Sequence, residues 1–270
     1  MVGWIDEWWL RLLLGLAGSS VIGLAAYRMR ALSVSGAISA IVMGTGYVTL
    51  GGPIWIALLV TFFVTSTGWS KWKRKHRAKA NAEQKYEKSG QRDAGQVWAN
   101  GGLGLLLCLL NACWGHELWL FAYIGVMASV NADTWATEIG SLSRSEPRSL
   151  MTGQAVEAGT SGGVTWLGSA AALAGAACIG LVAAIWFDTL HIIWLAAAAG
   201  FIGAYADSFL GATVQAMYRC PSCGTETERA LHCGSATKPL RGWAFLNNDR
   251  VNMTASVIAG AAAAFIGGLI

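Results

Sequence analysis

Eight stretches of this chain, 8–27, 32–50, 53–70, 97–113, 117–137, 163–187, 190–214 and 251–270, are apolar and close to the length at which a helix crosses the hydrocarbon core of a bilayer. A chain built this way has few folds open to it. Backbone facing lipid must satisfy its own hydrogen bonds, which leaves helices or closed barrels, and the short alternating strands of a barrel are missing. Only 13% of residues are charged, against about 25% in soluble domains. The sequence therefore predicts an all-α polytopic bundle of about eight transmembrane helices. It forms a single integral-membrane domain over 1–270, with polar loops at 71–95, 140–162 and 215–250.

The basic residues orient this bundle. Eight spans place the loops carrying Arg28 and Arg30, then Lys71 to Arg92, then Arg144 and Arg148, then Arg219 to Arg250, all on one side. Of the 19 Lys and Arg, only Arg11 falls elsewhere. The positive-inside rule makes that side cytoplasmic and both termini external. The 14 Trp divide in the same way. Trp4, Trp8, Trp9, Trp55, Trp114, Trp119, Trp186 and Trp194 are expected in an outer interfacial belt, and Trp69, Trp72, Trp98, Trp135, Trp166 and Trp243 in an inner one. The opening Met1 to Glu7 is acidic and has no basic leader, so the first span is expected to be retained. The expectation is a multi-pass protein of a bacterial-type plasma membrane, with lipid and no nucleic acid as its surroundings. The basic 71–95 segment, able to form a surface helix, reads as a topogenic loop facing anionic lipid, with attraction of phosphorylated substrates as the other reading. Gly36, Ala40 and Gly44, and again Gly200 with Ala204, have the small-residue spacing of helices that pack closely in lipid.

Acids are scarce in the apolar stretches, yet Ala-Asp-Thr/Ser occurs twice, at Ala132-Asp133-Thr134 and Ala206-Asp207-Ser208. A carboxylate within a bilayer costs roughly 2.5–3.5 kcal/mol even on lenient insertion scales, so such residues face a site or a partner. In the expected topology Glu138 and Asp249 lie at the same membrane face, as do Gln96, Asn100, Asn131, Asn248 and Asn252. Asp133, Glu138, Asp207 and Asp249 are therefore the candidate catalytic residues, and together the candidate Mg²⁺ ligands, because hard cations take carboxylate and phosphate oxygens. Helix capping and interhelical hydrogen bonding are the alternative roles for the Asn and Thr residues of these clusters. Gly159-Thr160-Ser161-Gly162-Gly163 leads into the sixth span, and a glycine-rich turn before a helix N-terminus suits phosphate. No P-loop sequence is present. Arg148, Lys238, Arg241 and Arg250 are candidate phosphate-neutralising cations. Cys220-Pro221-Ser222-Cys223 followed by His232-Cys233 has spacing suited to a structural Zn²⁺, with free thiols as the other reading.

Taken together, Gln96 to Gly101, Asn131 to Gly140, Gly159 to Val164, Asp207 to Thr213, His232 to Gly234 and Asn247 to Asn252 resemble the integral-membrane family of unknown function number ninety-two. That family includes the plant plastid phytyl-phosphate kinase and a vertebrate membrane protein of unclear activity. The resemblance implies a nucleotide-dependent kinase acting on an isoprenyl monophosphate, with ATP or CTP as donor. Asp133-x-x-Ala136-x-x-x-Gly140 is also similar to a stretch of membrane CTP-dependent polyprenol kinases and cytidylyltransferases. A lipid-phosphate transporter or flippase, or a cytidylyltransferase, are the alternatives.

Overall fold

The computed structural model describes residues 7–73 and 90–269. Eight helices run through the described residues: α1 (Trp8–Arg28), α2 (Val34–Leu50), α3 (Pro53–Lys73), α4 (Ala94–Trp114), α5 (Glu117–Gly140), α6 (Trp166–Phe187), α7 (His191–Thr213) and α8 (Asn248–Gly267). Each falls on one of the apolar stretches, with its ends adjusted by capping. Asp93 accepts the Gln96 N–H at 2.9 Å while the Gln96 side chain accepts the Asp93 N–H. This reciprocal box starts α4 ahead of its apolar run. Asn247 caps α8 through the Arg250 N–H. Thr165 caps α6, because Gly163 and Val164 are drawn into a strand.

Six helices (all but α2 and α5) are long and apolar enough to cross a membrane by length and composition. Helix α2 has 17 residues, and α5 carries Asn131, Asp133 and Glu138. Helix α5 is nevertheless the centre of the molecule. It packs against α3, α4, α6, α7 and α8, and every residue from Ala122 to Ala132 is buried. Helix α1 lies outside, against α2, and leaves Leu13, Val21 and Leu24 exposed.

Small residues bring the central helices together. A Cβ on Gly203 of α7 would run into the Ser129 side chain of α5, and one on Gly125 of α5 would lie 2.5 Å from the Ala259 carbonyl of α8. Gly200 meets the Ala128 backbone in the same way, as its spacing predicted.

The expected Trp belts need one correction. Trp55 is 2% exposed and stacks on Tyr123 at 4.5 Å, and Tyr123 donates a 2.7 Å hydrogen bond to the Trp55 carbonyl. It is a core residue, because the first turn of α3 leans inward onto α5. Trp8, Trp114, Trp166, Trp194 and Trp243 are exposed as a belt requires. Trp4 and most of the basic 71–95 segment lie outside the described residues.

Short strands occupy the polar loops, which the helical pattern did not foresee. Strands β1 (Arg148–Ser149) and β2 (Gly163–Val164) pair antiparallel and close the loop between α5 and α6. Between α7 and α8 lie β3 (Met217–Arg219), β4 (Glu226–Thr227), β5 (Leu231–His232), β6 (Ser235–Ala236) and β7 (Lys238–Arg241). Three of them form an antiparallel sheet in the order β4-β3-β7, and β5 with β6 makes a separate hairpin. Segments of two to four residues are too short to show an alternation.

Candidate functional site

Helix register gathers the acids. One turn past the contact of Gly203 with Ser129 stand Asp207 on α7 and Asp133 on α5, on the same stripes as the residues in contact. Ala259 of α8 also abuts Gly203, and Asn252 lies seven residues, about two turns, toward the α8 N-terminus, with Asp249 a further turn on. Asp133, Asp207, Asp249 and Asn252 line one cavity of about 340 Å³. Its walls come from the last turns of α3, α5 and α7 and the first turns of α4, α6 and α8, so it sits at one end of the bundle.

All four candidate acids, Asp133, Glu138, Asp207 and Asp249, line this cavity, although up to 116 residues separate them in sequence. Asp207 Oδ2 is buried without a hydrogen-bond partner among the described residues. An orphaned carboxylate oxygen beside a second aspartate suits a hard cation, so this donor set fits Mg²⁺. Glu138 is held from α3, whose Ser70 hydroxyl donates to Glu138 Oε1 at 2.7 Å.

The glycine-rich loop forms another wall. Gly159, Thr160, Ser161, Gly162 and Gly163 all line the cavity. Gly162 has a φ of +83°, and a Cβ there would collide with Ala212, so the loop can lie on the end of α7 only as glycine. Ser161 Oγ donates to Gln215 Oε1 at 3.0 Å, and Gln215 Nε2 donates to Glu228 Oε1 at 2.8 Å. This chain links the glycine-rich loop to the β-rich loop and brings a fifth acid, Glu228, to the cavity wall.

Asn100, Asn248 and Asn252 line the cavity as expected. Asn131 does not. It is fully buried, its Nδ2 donates to the Gly175 carbonyl at 2.8 Å, and its Oδ1 accepts the Thr65 hydroxyl at 2.9 Å. It joins α3, α5 and α6 and has no face toward the cavity. The expected cations also lie away from it. Arg148 is exposed and donates to the Gly153 carbonyl at 2.9 Å, closing its own turn. Lys238 is exposed on β7. Arg241 donates to the Gly211 carbonyl at 2.8 Å and to that of Ala212, where it caps the C-terminal end of α7. Arg250 donates to the Phe245 carbonyl.

Among the described residues, the cation that does reach the cavity is Arg92. Its backbone is clamped to the turn between α1 and α2, with Arg92 N–H on the Ala31 carbonyl and Ser33 N–H on the Arg92 carbonyl, both at 3.0 Å. Its guanidinium donates to Ser66 Oγ at 3.1 Å and lies 5.7 Å from the centre of the Phe62 ring. Burial pulls this guanidinium below its ordinary pKa, and Glu138 acts in the opposite sense. The sequence showed Arg92 only as one more loop cation. The Asp93 to Gln96 capping box, which fixes the chain just after it, was the available signal.

A second cluster lies in the loop between α7 and α8. One ligand atom from each of Cys220, Cys223, His232 and Cys233 can be chosen so that all four lie within 4.8 Å of one another. The Thr225 hydroxyl and N–H hold the Cys223 thiol down to about 6, whereas the neighbouring Cys223 pushes Cys233 up to about 11.

The sequence matches the family model described as integral membrane protein DUF92 over residues 17–260, which include every acid of the cavity. The chain belongs to this family. Its relatives include Protein PGR of Arabidopsis thaliana, 30% identical over 92% of this chain and 93% of the relative. An uncharacterized membrane protein of Methanocaldococcus jannaschii is 28% identical over 93% of this chain and 92% of its own length. One from Synechocystis is 33% identical over 63% of this chain and 66% of the relative. No solved structure matches the chain. Membership fixes a multi-pass membrane protein.

Proposed function

We propose that this protein is a Mg²⁺-dependent phosphotransferase that moves the terminal phosphoryl group of a nucleoside triphosphate onto an isoprenyl monophosphate. The reading rests on one observation above others: acids from three helices converge on a single cavity with a glycine-rich loop, and one aspartate oxygen is buried there without a partner. Asp133, Glu138, Asp207 and Asp249 would hold Mg²⁺, which supplies charge neutralisation at the β- and γ-phosphates. The loop Gly159 to Gly163, Asn100, Asn248 and Asn252 would position phosphate oxygens, and Arg92 adds a fixed positive charge at the wall. The acceptor phosphate oxygen forms a bond to the γ-phosphorus, the bond from that phosphorus to the β–γ bridging oxygen breaks, and nucleoside diphosphate leaves. Both partners are already anions, so no proton must be removed and the carboxylates need not act as bases. Ala172 and Ala204 give the cavity an apolar floor on which the first isoprene unit would rest.

The family resemblance points to the same reaction. A carrier site belongs near the bilayer midplane, whereas this cavity lies at helix ends, which favours the enzyme over the flippase. With loops 28–31, 71–95, 140–162 and 215–250 cytoplasmic, the site would meet soluble nucleotide at the inner face of a plasma membrane.

The test is an assay of purified protein with γ-labelled ATP or CTP and a panel of phytyl, geranylgeranyl and farnesyl monophosphates. Label in the lipid diphosphate supports the proposal. Release of pyrophosphate with CTP would make it a cytidylyltransferase. Movement of lipid phosphate between leaflets without label transfer would make it a flippase.

A further inference from the structure

Beyond Met217 the loop between α7 and α8 buries only Cys220 and Thr227, so its outer part has almost no apolar core of its own. Its two cysteine-bearing turns face each other. The first follows β3 and is closed by Cys220 N–H on the Thr225 carbonyl at 3.0 Å and Gly224 N–H on the Cys220 carbonyl at 2.9 Å. The second is the tip of the β5–β6 hairpin, where His232 pairs with Ser235 and Cys233 sits in the turn. Ser222 Oγ and Ser235 Oγ, one from each turn, lie 3.1 Å apart.

Between the turns, Cys223 Sγ is 3.8 Å from Cys233 Sγ and 3.5 Å from His232 Nδ1, and Cys233 Sγ is 3.3 Å from that nitrogen. Disulfide sulfurs would be about 2.05 Å apart, and all three thiols are free. Bonds of about 2.3 Å to sulfur and about 2.0–2.1 Å to nitrogen around a tetrahedral ion put ligand atoms about 3.5–3.8 Å apart. The three spacings among Cys223, His232 and Cys233, 3.3 to 3.8 Å, are close to a tetrahedron's edges, and Cys220 Sγ lies within 4.8 Å of the same atoms. Three thiolates and an imidazole form a closed structural zinc set.

We propose that Cys220, Cys223, His232 and Cys233 bind one structural Zn²⁺ that pins the loop between α7 and α8 against the cavity. The consequence for the cavity follows from the chain path. Strand β4, which begins three residues after Cys223, pairs with β3 and leads directly into Glu228, and Glu228 holds Gln215, which holds Ser161. The metal thus fixes the wall formed by Ser161 and Glu228 without touching the reacting groups, and its presence does not depend on which reaction the cavity performs.

Elemental analysis of the full-length protein in detergent, purified without chelator, is expected to give about one equivalent of zinc, falling below about a tenth in Cys223→Ser and Cys233→Ser and unchanged in Cys113→Ser. Should the serine variants fail to fold, wild-type protein stripped and reloaded with Co²⁺ is expected to show thiolate charge-transfer absorption and tetrahedral ligand-field bands. Stripping is also expected to speed trypsin cleavage after Arg229 by about tenfold or more, because the loop opens locally. Wild type with under about a tenth of an equivalent and no cobalt spectrum would overturn the site. Unchanged cleavage after complete stripping would overturn the pinning role.

Discussion

Ser70 Oγ donates a 2.7 Å hydrogen bond to Glu138 Oε1, fixing the acidic end of α5 from the last turns of α3. A bond to a charged acceptor contributes about 1.5–3 kcal/mol net. Ser70→Ala is therefore expected to raise the Mg²⁺ concentration for half-maximal turnover by about tenfold and to lower the melting temperature by a few degrees. An unaltered Mg²⁺ dependence would remove Glu138 from the metal set.

Asp133→Asn and Asp207→Asn keep shape and remove charge. Each is expected to lower turnover by about 10²–10³-fold, the scale of losing one electrostatic contact to a transition state. Melting temperature in detergent should hold or rise, since an uncompensated acid in lipid is a liability. Normal turnover in both variants would sink the carboxylate site.

Gly162→Ala tests the seat of the glycine-rich loop on α7. The left-handed backbone alone costs roughly 1–2 kcal/mol for an alanine, and here the new methyl also meets Ala212. Gly153→Ala carries the backbone cost without the collision, because its φ is +68° and nothing lies within 4 Å. The first variant should be clearly less stable and less active than the second, and equal melting curves would contradict the packing.

Trp55→Ala removes a core ring and should destabilise by about 3–5 kcal/mol. Trp194→Ala, at 76% exposure, should cost little. A comparison of the two by thermal unfolding separates a core tryptophan from an interfacial one.

Membrane-impermeant thiol reagents on intact cells check the orientation. Cys113, exposed at the far end of α4, should label from outside, and a loop thiol introduced as Arg229→Cys should not. The reverse pattern would turn the cavity outward, away from cytosolic nucleotide.

The helices were legible because lipid demands long apolar runs, and those runs predict α1 to α8 to within about four residues. The four acids were legible for a related reason: a charge at a span's end stands out where charges are rare. Partners that arise from tertiary folding were not. Ser70, Gln215 and Glu228 are ordinary loop or helix-end residues until α3 and the β-rich loop close over the cavity. Charge counting grouped Arg148, Lys238 and Arg241 in loops of one set but could not give the direction of their side chains, two of which are committed to backbone carbonyls. Trp55 failed for a similar reason, since interfacial depth says nothing of whether a ring faces lipid or a neighbouring helix.

Helix α5, walled in by five others while carrying Asn131, Asp133 and Glu138, bears on biogenesis. Leaving the translocon alone, it would meet lipid with those polar groups uncovered. Its stable residence in the bilayer waits on α6, α7 and α8, which are synthesised after it. Chains truncated before Trp166 are thus expected to insert this helix poorly, whatever the integrity of the helices already made.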